Sequence, residues 1–249
     1  MLTEALLADA LAAAGLHAPV RAEATVPSTQ AIARDLAEAG SPAWTLVAAE
    51  HQTAGRGRHG RTWADVPGSL LVSVVLRPSV PAPRAGLVPL LAGAALAEAC
   101  DEVAGARVTL RWPNDLLLDE RKVGGMIAES RVEDDRVAWI VLGVGVNVAA
   151  APDDVDGAAS LGAGEPASVL AAFLRRFAPL LEGEPWAAVR ARYVPRCATL
   201  GRRVRARTAA GEIDGVAADL DETGALVVAP DAGPPVVLAS AEVVHLAHD

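Results

Sequence analysis

Lysine is almost absent from this 249-residue sequence. Of its 22 basic residues 21 are arginine, and Lys122 stands alone. Alanine and glycine are abundant throughout, so the bias reads as pressure on the whole composition. Arginine is a wide planar fork and lysine a compact point charge. A position that kept lysine under this pressure either needs the ammonium or survived by chance. Aromatic residues are scarce, with five Trp, two Phe and one Tyr, so the core must be Leu, Val and Ala. Two cysteines, Cys100 and Cys197, make no metal framework, and no disulfide is expected between them. The five histidines form no metal set; His245 and His248 are expected at the surface, and His59 to add polarity to its loop. No apolar run reaches the roughly 18 residues of a membrane span. No basic segment followed by an apolar core opens the chain, so no secretory signal is read and the expected location is cytoplasmic, away from membranes. A net charge of −9 argues against general nucleic-acid binding. With 52% hydrophobic and 21% charged residues, the chain has the composition of a folded protein with a sizeable core.

Periodicity predicts helices over residues 2–14, 28–39, 84–103, 166–182 and 185–199. Strands are predicted over 44–50, 69–77, 107–112, 116–119, 122–132 and 136–148, the last two joined by a turn at Glu133-Asp134-Asp135. Residues 150–164 read as a polar loop. Strands run consecutively without strict alternation with helices, which predicts an α+β fold: a mixed β-sheet flanked by helices. After Gly201 come five short segments, 202–208, 212–219, 224–229, 235–239 and 242–246, separated by Gly, Asp and Pro turns. That spacing predicts a small β-barrel. Two domains are expected, 1–200 and 201–249.

Three segments carry chemistry. In Gly55-Arg56-Gly57-Arg58-His59-Gly60-Arg61 glycines allow close backbone approach and arginines clamp oxyanions, which suggests a phosphate-binding loop. The bland reading is a solvated loop or a nucleic-acid-binding segment. A P-loop is excluded, because its lysine and its following helix are both missing: Pro67 and Gly68 follow, then a strand. In Arg111-Trp112-Pro113-Asn114-Asp115, Asn114 and Asp115 could offer oxygens to Mg²⁺ or a nucleotide, or form a plain turn. Lys122 opens Lys122-Val123-Gly124-Gly125-Met126-Ile127-Ala128-Glu129, where paired glycines in a strand imply something packed on the backbone. Gly143-Val144-Gly145-Val146-Asn147 repeats that theme.

Taken in order and spacing, the arginine loop with Trp63, RWPND, KVGGMIAE and GVGVNV resemble the biotin protein ligases over essentially the whole chain. The resemblance implies a class II synthetase-like biotin/lipoate ligase catalytic domain plus a small C-terminal SH3-like β-barrel. It implies activation of biotin with ATP and Mg²⁺ to biotinyl-5′-AMP and pyrophosphate. Transfer to one lysine of a biotin carboxyl carrier protein domain, of an acyl-CoA or pyruvate carboxylase, would follow. By the same resemblance Ser28, Thr29, Gln52 and the Arg56 backbone would hold biotin, although Ser28 also suits a helix N-cap. Arg58 and Arg61 would hold phosphates and Trp63 would cover the biotin tail and adenine. Asn114 would serve ATP and its Mg²⁺, with Asp115 at the reacting centre. Lys122 would bridge the biotin carboxylate and the α-phosphate. Gly125 and Gly143 would let the ligand lie on the sheet, and Asn147 would contact adenine. Arg111 stands where many members have lysine and can still meet a phosphate. Catalysis falls to Lys122, Arg58 and Asp115, with Asp115 orienting the acceptor amine or drawing its proton. Because 27 residues before Ser28 cannot hold a DNA-binding domain, no repressor activity is expected. The oligomeric state, monomer or homodimer, stays open. The alternatives are a lipoate or octanoate ligase of the same fold, and a non-catalytic module binding biotin or nucleic acid.

Overall fold

A computed structural model describes residues 2–208 and 211–246; His248 and the His59 side chain lie outside what it describes. The larger sheet has seven strands: β1 (Val20–Val26), β2 (Leu46–Gln52), β3 (Ser69–Leu76), β4 (Thr109–Arg111), β5 (Asp115–Leu118), β6 (Arg121–Glu133) and β7 (Arg136–Asn147). Their spatial order is β1-β2-β3-β7-β6-β5-β4. β1 and β2 run parallel and every other pair is antiparallel, so the sheet is mixed as expected. The helices are α1 (Glu4–Ala13), α2 (Thr29–Glu38), α3 (Leu87–Ala104) and α4 (Pro166–Phe177). Gly105 ends α3 in the left-handed conformation, φ +65°, a backbone geometry that costs glycine little.

Alternation along β7 sorts the two faces of the sheet. Ile140, Leu142, Val144 and Val146 join the main core with leucines of α1, α3 and α4. Trp139 and Val141 turn the other way and pack with Ala33 and Ala37 of α2. A ten-residue helix is only about 15 Å long, whereas the 12 residues of β7 span roughly 40 Å. α2 therefore covers part of its face and leaves the Gly145–Asn147 end of β7 uncovered by helix.

The C-terminal residues form a separate five-stranded antiparallel sheet: β8 (Arg203–Thr208), β9 (Gly211–Leu220), β10 (Leu226–Pro230), β11 (Val236–Leu238) and β12 (Glu242–His245), in the order β11-β10-β9-β8-β12.

Two elements differ from the sequence expectation. β1 was not predicted: Val-Arg-Ala-Glu-Ala-Thr-Val buries only Val26 fully, and pairing with β2 stabilises what its weak hydrophobicity does not. The helix predicted over 185–199 is broken into α5 (Pro185–Ala188), a π-turn (Val189–Tyr193) and a 3₁₀ turn (Val194–Arg196). Pro195, without an N–H, cannot extend an α-helix through that point. Cys100 and Cys197 are buried free thiols, and no helix among the described residues is long and apolar enough to cross a membrane.

Candidate active site

The uncovered end of the α2 face is the floor of a cavity of about 320 Å³. Its walls are the start of α2, the arginine loop, the Arg111–Asp115 turn and the Ala241–Val244 segment of the C-terminal sheet. Of the site residues drawn from the sequence, Asn147 alone does not border it. The side-chain amide of Asn147 instead donates to Ala159 O at 3.0 Å, while its buried Oδ1 has no protein partner.

The arginine loop closes on itself. Trp63 N donates to Gly55 O (3.0 Å) and Gly57 N to Arg61 O (2.7 Å). A Cβ on Gly55 would stand 2.7 Å from Trp63 O, so this glycine serves the loop's own closure rather than an approaching ligand. Asp65, nearly buried, clasps the base of the loop: its Oδ2 accepts from Gln52 N at 3.0 Å and lies 3.0 Å from the His51 ring. Arg58 reaches across the cavity. Its Nη1 donates to Asn114 Oδ1 (3.2 Å) and Ala241 O (3.3 Å), and its Nη2 to Ser240 Oγ (2.9 Å). Burial lowers the pKa of its guanidinium, partly offset by the Asp115 charge. Arg61 pairs with Glu242. The C-terminal sheet thus forms one wall of the site, a contact that nothing in the sequence around Glu242 signals.

Beneath the loop, Asp115 gathers two cations. One oxygen meets Lys122 Nζ at 2.7 Å, the other Arg111 Nη2 at 2.6 Å. Burial pushes the Asp115 carboxyl up, but the charges and hydrogen bonds of Lys122 and Arg111 outweigh it and hold the group below its usual range. Asp115 is therefore a firm carboxylate and a poor proton acceptor. Lys122 also lies 5.7 Å from the Trp63 ring centroid. Its backbone is pinned on both sides, its N–H to Gly157 O (2.7 Å) and its C=O by Ala159 N (2.8 Å).

The glycines of the floor make room for side chains. A Cβ on Gly145 would fall 2.8 Å from Trp63 Cε2, so the indole lies flat on the sheet there. Gly143 makes room for Gln30, whose Oε1 would stand 2.6 Å from an added Cβ, and not for an open stretch of floor. Gly125 faces the Asp115–Lys122 pair at ordinary contact distance.

Gln52 Oε1 accepts from Thr29 N (2.8 Å) and Thr29 Oγ1 (3.2 Å); Thr29 Oγ1 meets Ser73 Oγ (2.9 Å), which donates to Gln30 Oε1 (3.2 Å). Gln30 Nε2 ends the chain on Val141 O at 3.0 Å. Ser73 and Gln30 were not among the expected site residues. The available signal was a serine in the middle of the apolar run of β3, between Val72 and Val74. Ser28 sits at the N-cap of α2 without capping it, and its buried Oγ has no protein partner. A buried hydroxyl left unpaired is costly, which fits a site awaiting a polar ligand group.

The expected Mg²⁺ contact of Asn114 meets an obstacle. Asn114 Oδ1 already accepts from Arg58, and its Nδ2 donates to Met126 O at 2.9 Å. A cation on that oxygen would face a guanidinium, both Asp115 oxygens are paired, and no metal-holding group of His, Cys, Asp and Glu occurs among the described residues. The protein side chains thus build no cation site here.

Two family models match the chain: the biotin/lipoate A/B protein ligase family over residues 22–147 and the biotin protein ligase C-terminal domain over 199–246. A biotin--[acetyl-CoA-carboxylase] ligase of Paracoccus denitrificans is 36% identical over 236 residues, covering 87% of this chain and 97% of that one. The bifunctional ligase/repressor BirA of Bacillus subtilis is 33% identical over 221 residues, 83% of this chain and 68% of that one. The structure of the Aquifex aeolicus biotin protein ligase in complex with biotin and ATP superposes with a TM-score of 0.75 at 26% identity, covering 92% and 99%. Fold and relatives together define an enzyme of the ligase class. The chain belongs to the biotin/lipoate A/B protein ligase family.

Proposed function

We propose that the protein condenses biotin with ATP and passes the biotinyl group to a lysine of a biotin carboxyl carrier protein domain. The observation that carries this reading is the solitary lysine, paired with Asp115 and set among arginines in a cavity that also holds an unpartnered Ser28 hydroxyl. In the first step a biotin carboxylate oxygen attacks the α-phosphorus, and the bond to the leaving pyrophosphate breaks. Two anions must meet, and Lys122, Arg58 and Arg61 supply positive charge around the cavity. Ser28, Thr29, Gln52 and the Arg56 backbone would hold the biotin ring. Trp63 would cover the biotin tail and the adenine. Arg111 meets phosphate oxygens, while Asn147, which lies outside the cavity and holds Ala159 O, takes no ligand contact in this reading. Asn114 acts by holding Arg58 over the phosphates. Mg²⁺ would be held mainly by the phosphates of ATP rather than by an all-protein cage, and would add positive charge there.

In the second step the neutral acceptor amine attacks the acyl carbon, the bond to AMP oxygen breaks with AMP leaving, and the proton of the new ammonium is lost to solvent water. Asp115, held as a carboxylate by two cations, orients Lys122 and the amine rather than drawing that proton. We place the division between the two units near residue 200.

The test is incubation of the purified protein with biotin, α-labelled ATP and Mg²⁺, with lipoate and octanoate in parallel. A biotin-dependent adenylate is expected. Formation with lipoate or octanoate instead would reassign the substrate, and no adenylate from folded protein with any acid would overturn the ligase reading.

A further inference from the structure

The Arg111–Asp115 turn delivers Asn114 and Asp115 to the cavity, and its anchor lies elsewhere. Trp112 is buried, and both of its N–H groups leave the catalytic sheet. The backbone N–H donates to Thr199 Oγ1 at 2.9 Å, and the indole Nε1 donates to Gly224 O at 3.0 Å. Thr199, fully buried, lies just ahead of the C-terminal sheet, and its Oγ1 stands 3.1 Å from His245 Nε2 on β12. Nearby, Ala198 N donates to Leu110 O at 2.8 Å, tying the same junction to β4.

We propose that His245 is a positioning residue for the catalytic turn, accepting the Thr199 hydroxyl proton so that Thr199 presents its oxygen to the Trp112 N–H. Trp112 N–H occupies one lone pair of Thr199, and in the proposed arrangement the hydroxyl hydrogen points to the Nε2 lone pair rather than to the neighbouring Cys197 sulfur. An imidazole that accepts at Nε2 is uncharged, with its proton on Nδ1. The surroundings keep it so. Burial lowers its pKa to about 4, helped by the Arg202 and Arg111 charges and opposed by Glu120. His245 is thus not the plain surface residue its place near the C-terminus suggested; it is half-buried against the junction.

The consequence is specific. Loss of the His245–Thr199 bond frees the hydroxyl rotor, and the turn carrying Asn114 and Asp115 loses its fixed approach to Arg58 and Lys122. Phosphate binding should suffer while the biotin end of the cavity, built on α2, β2 and β3, does not. This kinetic expectation rests on the ligase reading; the mobility of the turn does not.

The experiment compares His245→Leu, His245→Gln, Thr199→Val and Thr199→Ser in the full-length protein. Hydrogen-exchange mass spectrometry follows peptides spanning 111–118, and kinetics follow KM for ATP and Kd for biotin. His245→Leu and Thr199→Val are expected to speed exchange in 111–118 severalfold and to raise KM for ATP about tenfold, with biotin Kd within twofold. Gln, which keeps an acceptor near the Nε2 position, and Ser, which keeps the hydroxyl, should restore near-native values. Equal loss of ATP and biotin binding would mark a general structural role and overturn the proposal. So would unchanged exchange in both disruptive variants, or a Gln variant as impaired as Leu. Should His245→Leu not fold, Thr199→Val carries the same test. Should the wild type form no adenylate, the ligase reading fails and the exchange measurement decides the positioning role alone.

Discussion

The two faces of the seven-stranded sheet are made from alternate residues of the same strands, yet they do different work. Toward α1, α3 and α4 the central strands present aliphatic side chains without interruption, Val72, Val74, Leu142 and Val144 among them. Toward α2 they present Val75, Val141 and Trp139, then change to Ser73, Gly143, Gly145 and Asn147 where the helix begins. The first face is closed by packing. The second is closed by packing for half its length, and its other half is closed by an arginine loop, an indole and a segment of the other sheet. The site lies where one short helix begins, and the sequence marks that point with Ser73 on β3 and with Gly143 and Gly145 on β7.

Lys122→Arg tests the open half most severely. Charge is kept but the fork cannot occupy the place of the ammonium between Asp115 and Trp63. Adenylate formation, read by pyrophosphate–ATP exchange, is expected to fall about a hundred- to a thousandfold, the usual loss for a misplaced transition-state donor. A native rate would mean that the one lysine survived by chance. On the closed face, Leu142→Ala is expected to cost about 3 kcal/mol of unfolding free energy in urea titration, from lost burial plus a residual cavity, with KM for biotin unchanged. A shifted KM would show that the two faces are not independent.

Ser28→Ala sharpens the contrast from the other side. Its hydroxyl is buried without a protein partner, so its removal should leave the ligand-free protein equally stable or about 1 kcal/mol more stable. Biotin affinity should drop about fivefold, roughly the worth of one hydrogen bond. Weaker ligand-free stability with native affinity would contradict a ligand-facing role. The smallest effect concerns pH. An unfolded histidine takes its proton near pH 6.5, whereas folded His245, facing Arg202, Arg111 and Glu120, waits until about pH 4. Between those values the unfolded state binds more protons, so stability falls as pH falls. His245→Gln should flatten that part of the curve in urea midpoints measured at pH 7 and pH 5. An unchanged slope would show that the ring is solvated.

Much of this was legible in the residues. The loop, the turn and the glycine strands could be read because each is a contiguous run whose composition departs from that of ordinary strands and helices. The mixed sheet followed from consecutive strand signals, and the small C-terminal sheet from turns spaced a few residues apart. β1 escaped because it is an edge strand with little hydrophobic pattern. The stretch before Cys197 has the periodicity of one helix, and Pro195 breaks it only in the last turns. Thr199 and His245 gave no local sign of being functional, since what matters about them is what they touch.

The sequence by itself determined which chemistry is available: one ammonium, a cluster of guanidiniums, a paired Asn114-Asp115, and the alternate glycines Gly143 and Gly145 on the strand that forms the floor. Tertiary structure decided how those groups are held. Lys122 meets Asp115 through strand register, since β5 pairs with β6 and sets Asp115 opposite Gly125. Arg58 meets Ser240, Arg61 meets Glu242, and Trp112 meets Thr199 and Gly224 only because the second sheet packs against the first. Local composition fixes local conformation and the supply of charge. Contacts between residues so distant along the chain depend on how whole sheets pack, and no short window of sequence contains that.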